Sequence, residues 1–282
     1  MFSFSVENAK GEKLQLTNNE NYLIERIEGL EPPDITVNRS KIAGYDGTRY
    51  NSSTANERAI VLYIDINKPV EKNRLNLYKY FRGKQKLKLY YSNSSLETYI
   101  EGYVEQITTN LFAQQEQFQI SIICPETYFN AIDEIITGTS KTISLFKFPF
   151  SIASTGIPFS EYEKNTETNV INDGTIETGM TITFAARGIV NKPKLFNRVT
   201  GKFFGLDYEM QAGDVITVNT RKGKKSVSLL REGVSYNLFN YIMDGSIFLN
   251  LDVGDNIFVY EAEVGDNYLD IAFIHRNQFE GV

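Results

Sequence analysis

Ala59-Ile60-Val61-Leu62-Tyr63-Ile64-Asp65-Ile66, followed by Asn67-Lys68-Pro69-Val70-Glu71-Lys72-Asn73-Arg74-Leu75-Asn76-Leu77-Tyr78-Lys79-Tyr80-Phe81-Arg82-Gly83, decides the fold. The first run is β-branched and aromatic and almost continuously apolar, which predicts a strand buried on both faces. The second run changes period. A proline stands near its start, Glu71 lies in the first turn, Lys79 and Arg82 in the last, and Gly83 just beyond. Acid early, base late and glycine after the end are helix signals. Val70, Leu77, Tyr78 and Phe81 share one helix face, so the helix is expected to cover one open face of a sheet.

On the N-terminal side of this pair the pattern is strand-like. Phe2, Phe4 and Val6 alternate with Ser3, Ser5 and Glu7, and Leu14 and Leu16 alternate with Lys13 and Gln15. Asn18-Asn19 and Gly44-Tyr45-Asp46-Gly47 are turn signals. Glu31-Pro32-Pro33-Asp34 breaks any regular element, since proline donates no N–H to a ladder. On the C-terminal side, strands resume at Leu87, Leu89 and Tyr91, then over Tyr99–Ile107 and Phe118–Cys124. Gly102, inside a strand, predicts a bulge.

Residues 125–168 are irregular in pattern. Ile132, Ile135 and Ile136 suit a short helical turn or a linking strand. Phe148 to Pro158 reads as irregular connection, and Glu161 to Glu167 as polar and exposed. A domain boundary is expected near Glu134, giving domains 1-134 and 135-282. Turn clusters then recur at Asn172-Asp173-Gly174, Ala212-Gly213-Asp214, Lys222-Gly223, Asp244-Gly245-Ser246 and Gly254-Asp255-Asn256. Between them strands are expected at Met180–Ala186, Lys194–Val199, Val215–Asn219, Ser226–Leu230, Ile247–Leu251 and Ile257–Glu261. Short strands at this spacing indicate a β-sandwich or barrel.

Composition narrows the function. The 282 residues include 19 Phe and 17 Tyr but no Trp, a β-leaning bias. The net charge is -6, with 15 basic and 18 acidic residues up to Glu134 and 14 and 17 after it, so each half carries -3. An even, weakly acidic balance argues against broad nucleic-acid or membrane-surface binding, and no direct sequence-specific nucleic-acid contact is expected. The start, Met1 to Lys10, lacks a basic and apolar leader, and no run is long enough to span a membrane.

Catalytic material is sparse. One cysteine, Cys124, excludes an internal disulfide or a multi-cysteine zinc site, and one histidine, His275, excludes a His-His metal pair. Both are expected to be structural. Lys222-Gly223-Lys224-Lys225-Ser226 fails as a phosphate loop, because the first glycine and the Gly-Lys-Ser/Thr order are missing. With Arg221 it is expected to form a charged hairpin tip. Arg82, Lys84, Lys86 and Lys88 read as a solvated stripe. The carboxylate pairs Asp133/Glu134, Asp252/Asp255 and Asp266/Asp270 suit acidic turns better than a glycosidase pair. No catalytic, cofactor-binding or metal residue is assigned, no cofactor is expected, and the chain is not expected to be an enzyme.

The order of these signals is more specific than any one of them. Four stretches carry a likeness: Ile27-Glu28-Gly29-Leu30-Glu31-Pro32-Pro33; Gly44-Tyr45-Asp46-Gly47 followed by Glu57 to Leu62; the lone helix with Leu87 to Ser92 and Tyr99 to Val104; and, in the second half, Val170 to Gly174, Val190 to Asn197, Thr200-Gly201, Gly213 to Ile216 and Leu251 to Asn256. In these the chain resembles the distal tail protein (Dit) family of siphophages, also called the siphovirus tail component family. Lys192 interrupts an Asn-Pro pair usual in that family, and the segment 155–167 is longer than a minimal member needs.

The resemblance implies a mostly β protein: an N-terminal β-sandwich with one covering helix and a C-terminal galectin-like β-sandwich. It implies a hexameric ring in the virion, at the distal end of a bacteriophage tail, made in the bacterial host cytoplasm. The ring would join the tail tube protein to a tail-tip, baseplate or tail-associated lysin-type protein. The second domain would dock peripheral proteins, a receptor-binding protein among them. The alternative is a carbohydrate-binding β-sandwich for host cell-surface attachment. Tyr208, Tyr236 or Tyr241 could form its aromatic platform, but the absence of tryptophan favours protein docking.

Overall fold

The computed structural model describes residues 2–110, 116–144, 160–164 and 167–282. In chain order the elements are β1 (Ser3–Glu7), β2 (Lys13–Gln15), β3 (Tyr22–Glu28), β4 (Ile35–Ser40), β5 (Arg49–Ala55), β6 (Arg58–Ile66), α1 (Val70–Tyr80), β7 (Lys86–Ser92), β8 (Glu97–Thr109), β9 (Gln117–Cys124) and β10 (Phe129–Ala131). There follow β11 (Ile135–Gly138), β12 (Ser140–Ser144), β13 (Ser160–Lys164), β14 (Glu167–Asn172), β15 (Met180–Ala186), β16 (Val190–Asn191), β17 (Lys194–Asn197) and β18 (Phe203–Gly205). The last are β19 (Glu209–Met210), β20 (Val215–Asn219), β21 (Ser226–Arg231), β22 (Val234–Asn237), β23 (Gly254–Glu261), β24 (Leu269–His275) and β25 (Gln278–Phe279). The chain divides into two compact units, Met1–Ile132 with Gln278–Val282, and Asp133–Asn277. The last five residues therefore belong to the first unit, which a single cut at Glu134 does not show.

In the first unit one sheet runs in the order β2-β1-β7-β8-β9-β6-β3, with β10 pairing β8 and β25 pairing β10. Its inward residues, Phe4 and Val6, Ile60, Leu62, Ile64 and Ile66, Leu87 and Leu89, Ile100, and Phe118, Ile120, Ile122 and Cys124, form one core with Leu77 and Phe81. The helix is thus where the change of period places it, and Leu77 is its fully buried anchor. Tyr78, the outer member of that face, meets Phe118 edge-on at 5.8 Å. Asn73 is also buried: its amide donates to the Asn67 carbonyl at 2.9 Å, and the Tyr22 hydroxyl donates to the Asn73 carbonyl at 3.0 Å.

Two details differ from expectation. Strand β6 is buried on one face only; Val61, Tyr63 and Asp65 on the other are half-covered. The covering atoms come from neighbouring strands, as where Arg26 of β3 lies 4.4 Å over the Tyr63 ring. The irregularity in β8 falls between Val104 and Gln106, not at Gly102. Gly102 serves packing: a Cβ there would lie 2.7 Å from Ile122 Cγ2 and 2.9 Å from Cys124 Sγ.

The second unit has two sheets, β11-β24-β15-β20-β21-β22 and β14-β23-β17-β18. Both contribute to one core, and Phe258 of β23 stacks on Phe273 of β24 at 4.9 Å. This is the sandwich that the alternating strands predict. Ile135 and Ile136 lie in a strand, β11, pairing with β24. The stretch Glu161 to Lys164 belongs to β13, which pairs with β12 as a two-stranded ribbon. Phe148 to Pro158 lies outside the described residues, as does most of 155–167. Ile247–Leu251 forms no strand. Leu249 and Leu251 are buried there, but the backbone makes only isolated contacts: Ile247 N–H donates to the Phe203 carbonyl, and Leu251 forms a single bridge with Thr178, each N–H donating to the other's carbonyl.

Arg58 opens β6 and is buried. Its guanidinium donates to the carbonyls of Thr127 at 2.8 Å, Gly29 at 2.5 Å and Glu31 at 2.6 Å, and also to that of Glu280. It lies 4.7 Å from the Phe129 ring centroid. Gly29 has φ +86°, and a Cβ there would fall 2.0 Å from the Ala59 carbonyl oxygen. One side chain thus ties the turn before β4, the start of β10 and the returning C-terminal segment to β6. Truncation would strand buried carbonyls, each worth about 1–3 kcal/mol. Arg58→Ala should lower stability by on the order of 3 kcal/mol or more, read as a fall in the denaturant midpoint. Arg58→Lys should not restore it, because an ammonium lacks the planar fork.

Candidate assembly surfaces and a cleft

Two features of the described residues stand out from the packed sheets. The first is the ribbon β4–β5. Its strands pair only with each other, with a register shift between Asn38 and Arg39. Almost every residue of the ribbon is exposed, including Ile35, Val37, Ile42, Tyr45 and Tyr50. Polar side chains bond across it, Thr36 to Asn56 at 2.8 Å and Asn38 to Ser52 at 3.1 Å. Its apolar side chains are left facing solvent. A lone two-stranded hairpin is marginal in water, so such an element usually awaits a partner.

The second feature is a cleft of about 610 Å³ in the second unit, lined by Lys192, Lys194, Asp207, Asn240, Tyr241, Ile242, Met243, Asp244 and Glu263. Four chain segments build it through backbone bonds. Asp207 N–H donates to the Tyr241 carbonyl at 2.7 Å and Met243 N–H to that of Gly205 at 3.0 Å. Lys192 N–H donates to the Tyr208 carbonyl at 3.0 Å, and Glu263 N–H to that of Asn191 at 2.9 Å. Lys192 holds a left-handed backbone at φ 52°. Its ammonium lies 3.0 Å from Glu263 and 3.9 Å from Asp207, and Glu263 raises its pKa above the ordinary lysine value.

The tyrosines singled out in the sequence separate here. Tyr208 and Tyr241 meet edge-to-face at 5.1 Å, whereas Tyr236 lies exposed on β22, the last strand of its sheet. Tyr208 is held from behind by Arg231, 5.8 Å from its ring centroid. Arg231 donates through both Nε and Nη2 to Asp214, whose carboxylate is buried and held below the ordinary carboxylate pKa by that bond. The cleft was not legible in the sequence, because its residues come from stretches up to seventy positions apart.

The remaining candidates are dispersed. Lys222, Lys224 and Lys225 sit exposed at the β20–β21 turn, and Lys225 lies 5.1 Å over the Phe248 ring. Lys86 pairs with Glu101, and Lys88 sits 5.4 Å over Tyr99. The acidic pairs hold separate partners: Glu134 with Arg276 at 3.2 Å, Asp255 with Asn169 at 2.6 Å, Asp270 with Arg187 at 2.8 Å. Burial pushes the Cys124 thiol up to about 12. His275 is fully buried in β24 and bonds the Ile171 carbonyl through Nε2 at 3.1 Å. Among the described residues no group of three or more His, Cys, Asp or Glu could hold a metal, and no helix is long and apolar enough to cross a membrane.

The described residues thus offer an exposed ribbon and a cleft, and the comparisons with known proteins place the chain in a phage tail. Residues 9–124 match the model of the phage tail protein RIFT-related domain, and residues 173–276 that of the siphovirus-type tail component, C-terminal domain. The chain belongs to the siphophage distal tail protein family and is a structural, non-enzymatic protein of the phage tail. The crystal structure of the Dit protein of phage SPP1, described as a paradigm of the hub adsorption apparatus in Gram-positive-infecting phages, shares the fold. Its TM-score is 0.68 at 13% identity, covering 98% of this chain and 99% of that one. A chain of the phage P2 baseplate in its activated conformation with Ca matches with a TM-score of 0.50 and 11% identity over the whole of both chains. No curated protein sequence matches.

Burial lowers the His275 pKa below its ordinary 6.5. Above that pH both folded and unfolded states hold it neutral. As pH falls below about 6.5 the unfolded chain gains a proton that the folded one resists, so stability is lost until the folded pKa is passed. Denaturant melts should weaken by up to about 1.4 kcal/mol per pH unit in this window. His275→Gln should flatten that part of the pH dependence.

Proposed function

We propose that six copies form a closed ring through residues 1–134, at the end of the tail distal to the capsid. The ring joins the tail tube protein to a tail-tip, baseplate or tail-associated lysin-type protein, and assembles from chains made in the host cytoplasm. The second unit, a sandwich of galectin type in this reading, docks peripheral proteins such as a receptor-binding protein. The observation that carries the assembly reading is the β4–β5 ribbon, which exposes Ile35, Val37, Ile42, Tyr45 and Tyr50. A ring needs a heterologous contact, in which one surface of each copy meets a different surface of the next. An apolar ribbon standing off a packed sheet suits one half of such a contact. Two-stranded β12–β13 and the exposed strand β22 offer the second unit comparable elements for docking.

Light scattering of the full chain should report a particle near 190 kDa, about six times the 32.1 kDa chain, and negative-stain images should show rings. Replacing residues 36–54 by a short glycine-serine link should abolish rings and leave the melting of both units nearly unchanged. A full chain that stays monomeric at high micromolar concentration, and forms no ring when mixed with tail tube protein, would overturn the assembly reading.

A further inference from the structure

We propose that the cleft beside Tyr241 is a binding site for a neutral, hydroxyl-rich ligand, a short segment of oligosaccharide. Three observations carry it. First, both lysines of the walls are already matched, and Asp244 is the lining carboxylate for which no ion pair is found. Lys192 is paired with Glu263 and Asp207, and Lys194 lies 3.6 Å from Glu261. A phosphate-rich polymer would have to displace these carboxylates from the lysines, and a cationic ligand would find one unpaired carboxylate, Asp244, and would have to displace the lysines from the others. A neutral polyol displaces neither, and its hydroxyls both donate and accept, so they can bond to each partner's spare lone pairs and N–H groups.

Second, the rim supplies what a sugar ring needs. Tyr241 is an exposed lining residue, and Asn240 and Asp244 beside it are exposed polar groups for which no ion pair or side-chain hydrogen bond is found. An aromatic face packs against the C–H side of a pyranose, while a planar amide and a carboxylate can each bridge adjacent hydroxyls. The volume of about 610 Å³ is within the common range for small-molecule sites.

Third, the site is built before any ligand arrives. Backbone bonds join segments 191–192, 205–208, 241–243 and 263–264, and a line of contacts, Asp214–Arg231–Tyr208–Tyr241, braces the aromatic. Lys192 adopts a left-handed backbone that non-glycine residues seldom take, and this directs its ammonium to Glu263. A weak ligand with many hydroxyls gains most from such rigidity, because little ordering entropy is left to lose. The inference reverses the sequence expectation: lack of tryptophan does not remove the platform when a tyrosine is braced beside polar groups.

The test uses the full chain. Maltotriose, lactose and the N-acetylglucosamine trimer, a glycan array and purified bacterial wall polysaccharides are screened at millimolar ligand, with glycerol-phosphate teichoic acid as the anionic probe. The expected result is binding to at least one neutral glycan, weakened at least about tenfold by Tyr241→Ala and by Asn240→Ala with unchanged melting. Asn240→Ala keeps the test valid if Tyr241→Ala unfolds the unit. Binding of teichoic acid alone, neutral binding indifferent to both substitutions, or no glycan bound at all would overturn the proposal. So would protection of the cleft from hydrogen exchange by another tail protein with no glycan bound, which would make it a protein-docking surface.

Discussion

The first unit depends on a positive charge buried without a matching carboxylate contact. Arg58 spends its guanidinium on backbone carbonyls from positions 29, 31, 127 and 280, with Phe129 against it. A buried cation is tolerable only when its N–H groups are saturated, so these segments must all be in place together. The constraint explains neighbouring choices. Gly29 must have no side chain because its turn lies against Ala59, and Val282 N–H closes on the Leu30 carbonyl at 3.0 Å. The strands β4 and β5 start from this fixed base, so an exposed ribbon can have a defined root.

The second unit uses a different device for the same problem of holding loops. Its sheets pack face to face through Phe184, Phe204, Phe258 and Phe273. The connections are held by side chains that imitate turns. Asn172 donates to the carbonyls of Ile176 and Leu251 and accepts from Gly174 N–H; Asn256 accepts from Asp252 N–H and donates to its carbonyl. Both asparagines sit where the β14–β23 ladder meets a turn, and both lie in turn clusters conspicuous in the sequence. The cleft is built from the same economy, with short paired pieces β16–β19 and single bridges rather than long strands.

Local signals made the elements legible. The helix, β6, β15 and β20 follow from period and punctuation, because those depend on residues a few positions apart. What stayed hidden depends on long separations. The return of Gln278–Val282 to the first unit depends on Arg58 meeting Glu280, 222 positions away. Gly102 reads as a bulge from its neighbours, but its reason is the side chain of Cys124 on the next strand. Ile247–Leu251 alternates like a strand, yet its backbone is held at Ile247 by Phe203 and at Leu251 by Thr178, which no short window includes. The cleft fails for the same reason: Lys192 is visible only as a departure from a family pattern, and its partner Glu263 is a residue of an unremarked turn.

The free edges of the first sheet bear on how copies could meet. The path ends at β2 and β3. Strand β2 has three residues, too few to template a long pairing. Strand β3 has seven, but it is irregular between Ile24 and Arg26 and carries Glu25, Arg26 and Glu28. A bulge and charges of both signs on an edge are devices that discourage indiscriminate strand addition. The ribbon lacks that protection on its apolar side, where Val37, Tyr45 and Tyr50 are half or more exposed. Its irregularity at Asn38/Arg39 and the bases Arg39, Lys41 and Arg49 restrict how it can be met rather than whether it is. Edge pairing would be unselective and could extend without limit, whereas a docked ribbon fixes one orientation between neighbours. In the proposed ring, closure after a set number of copies would be favoured by blunted edges and by recognition through the ribbon.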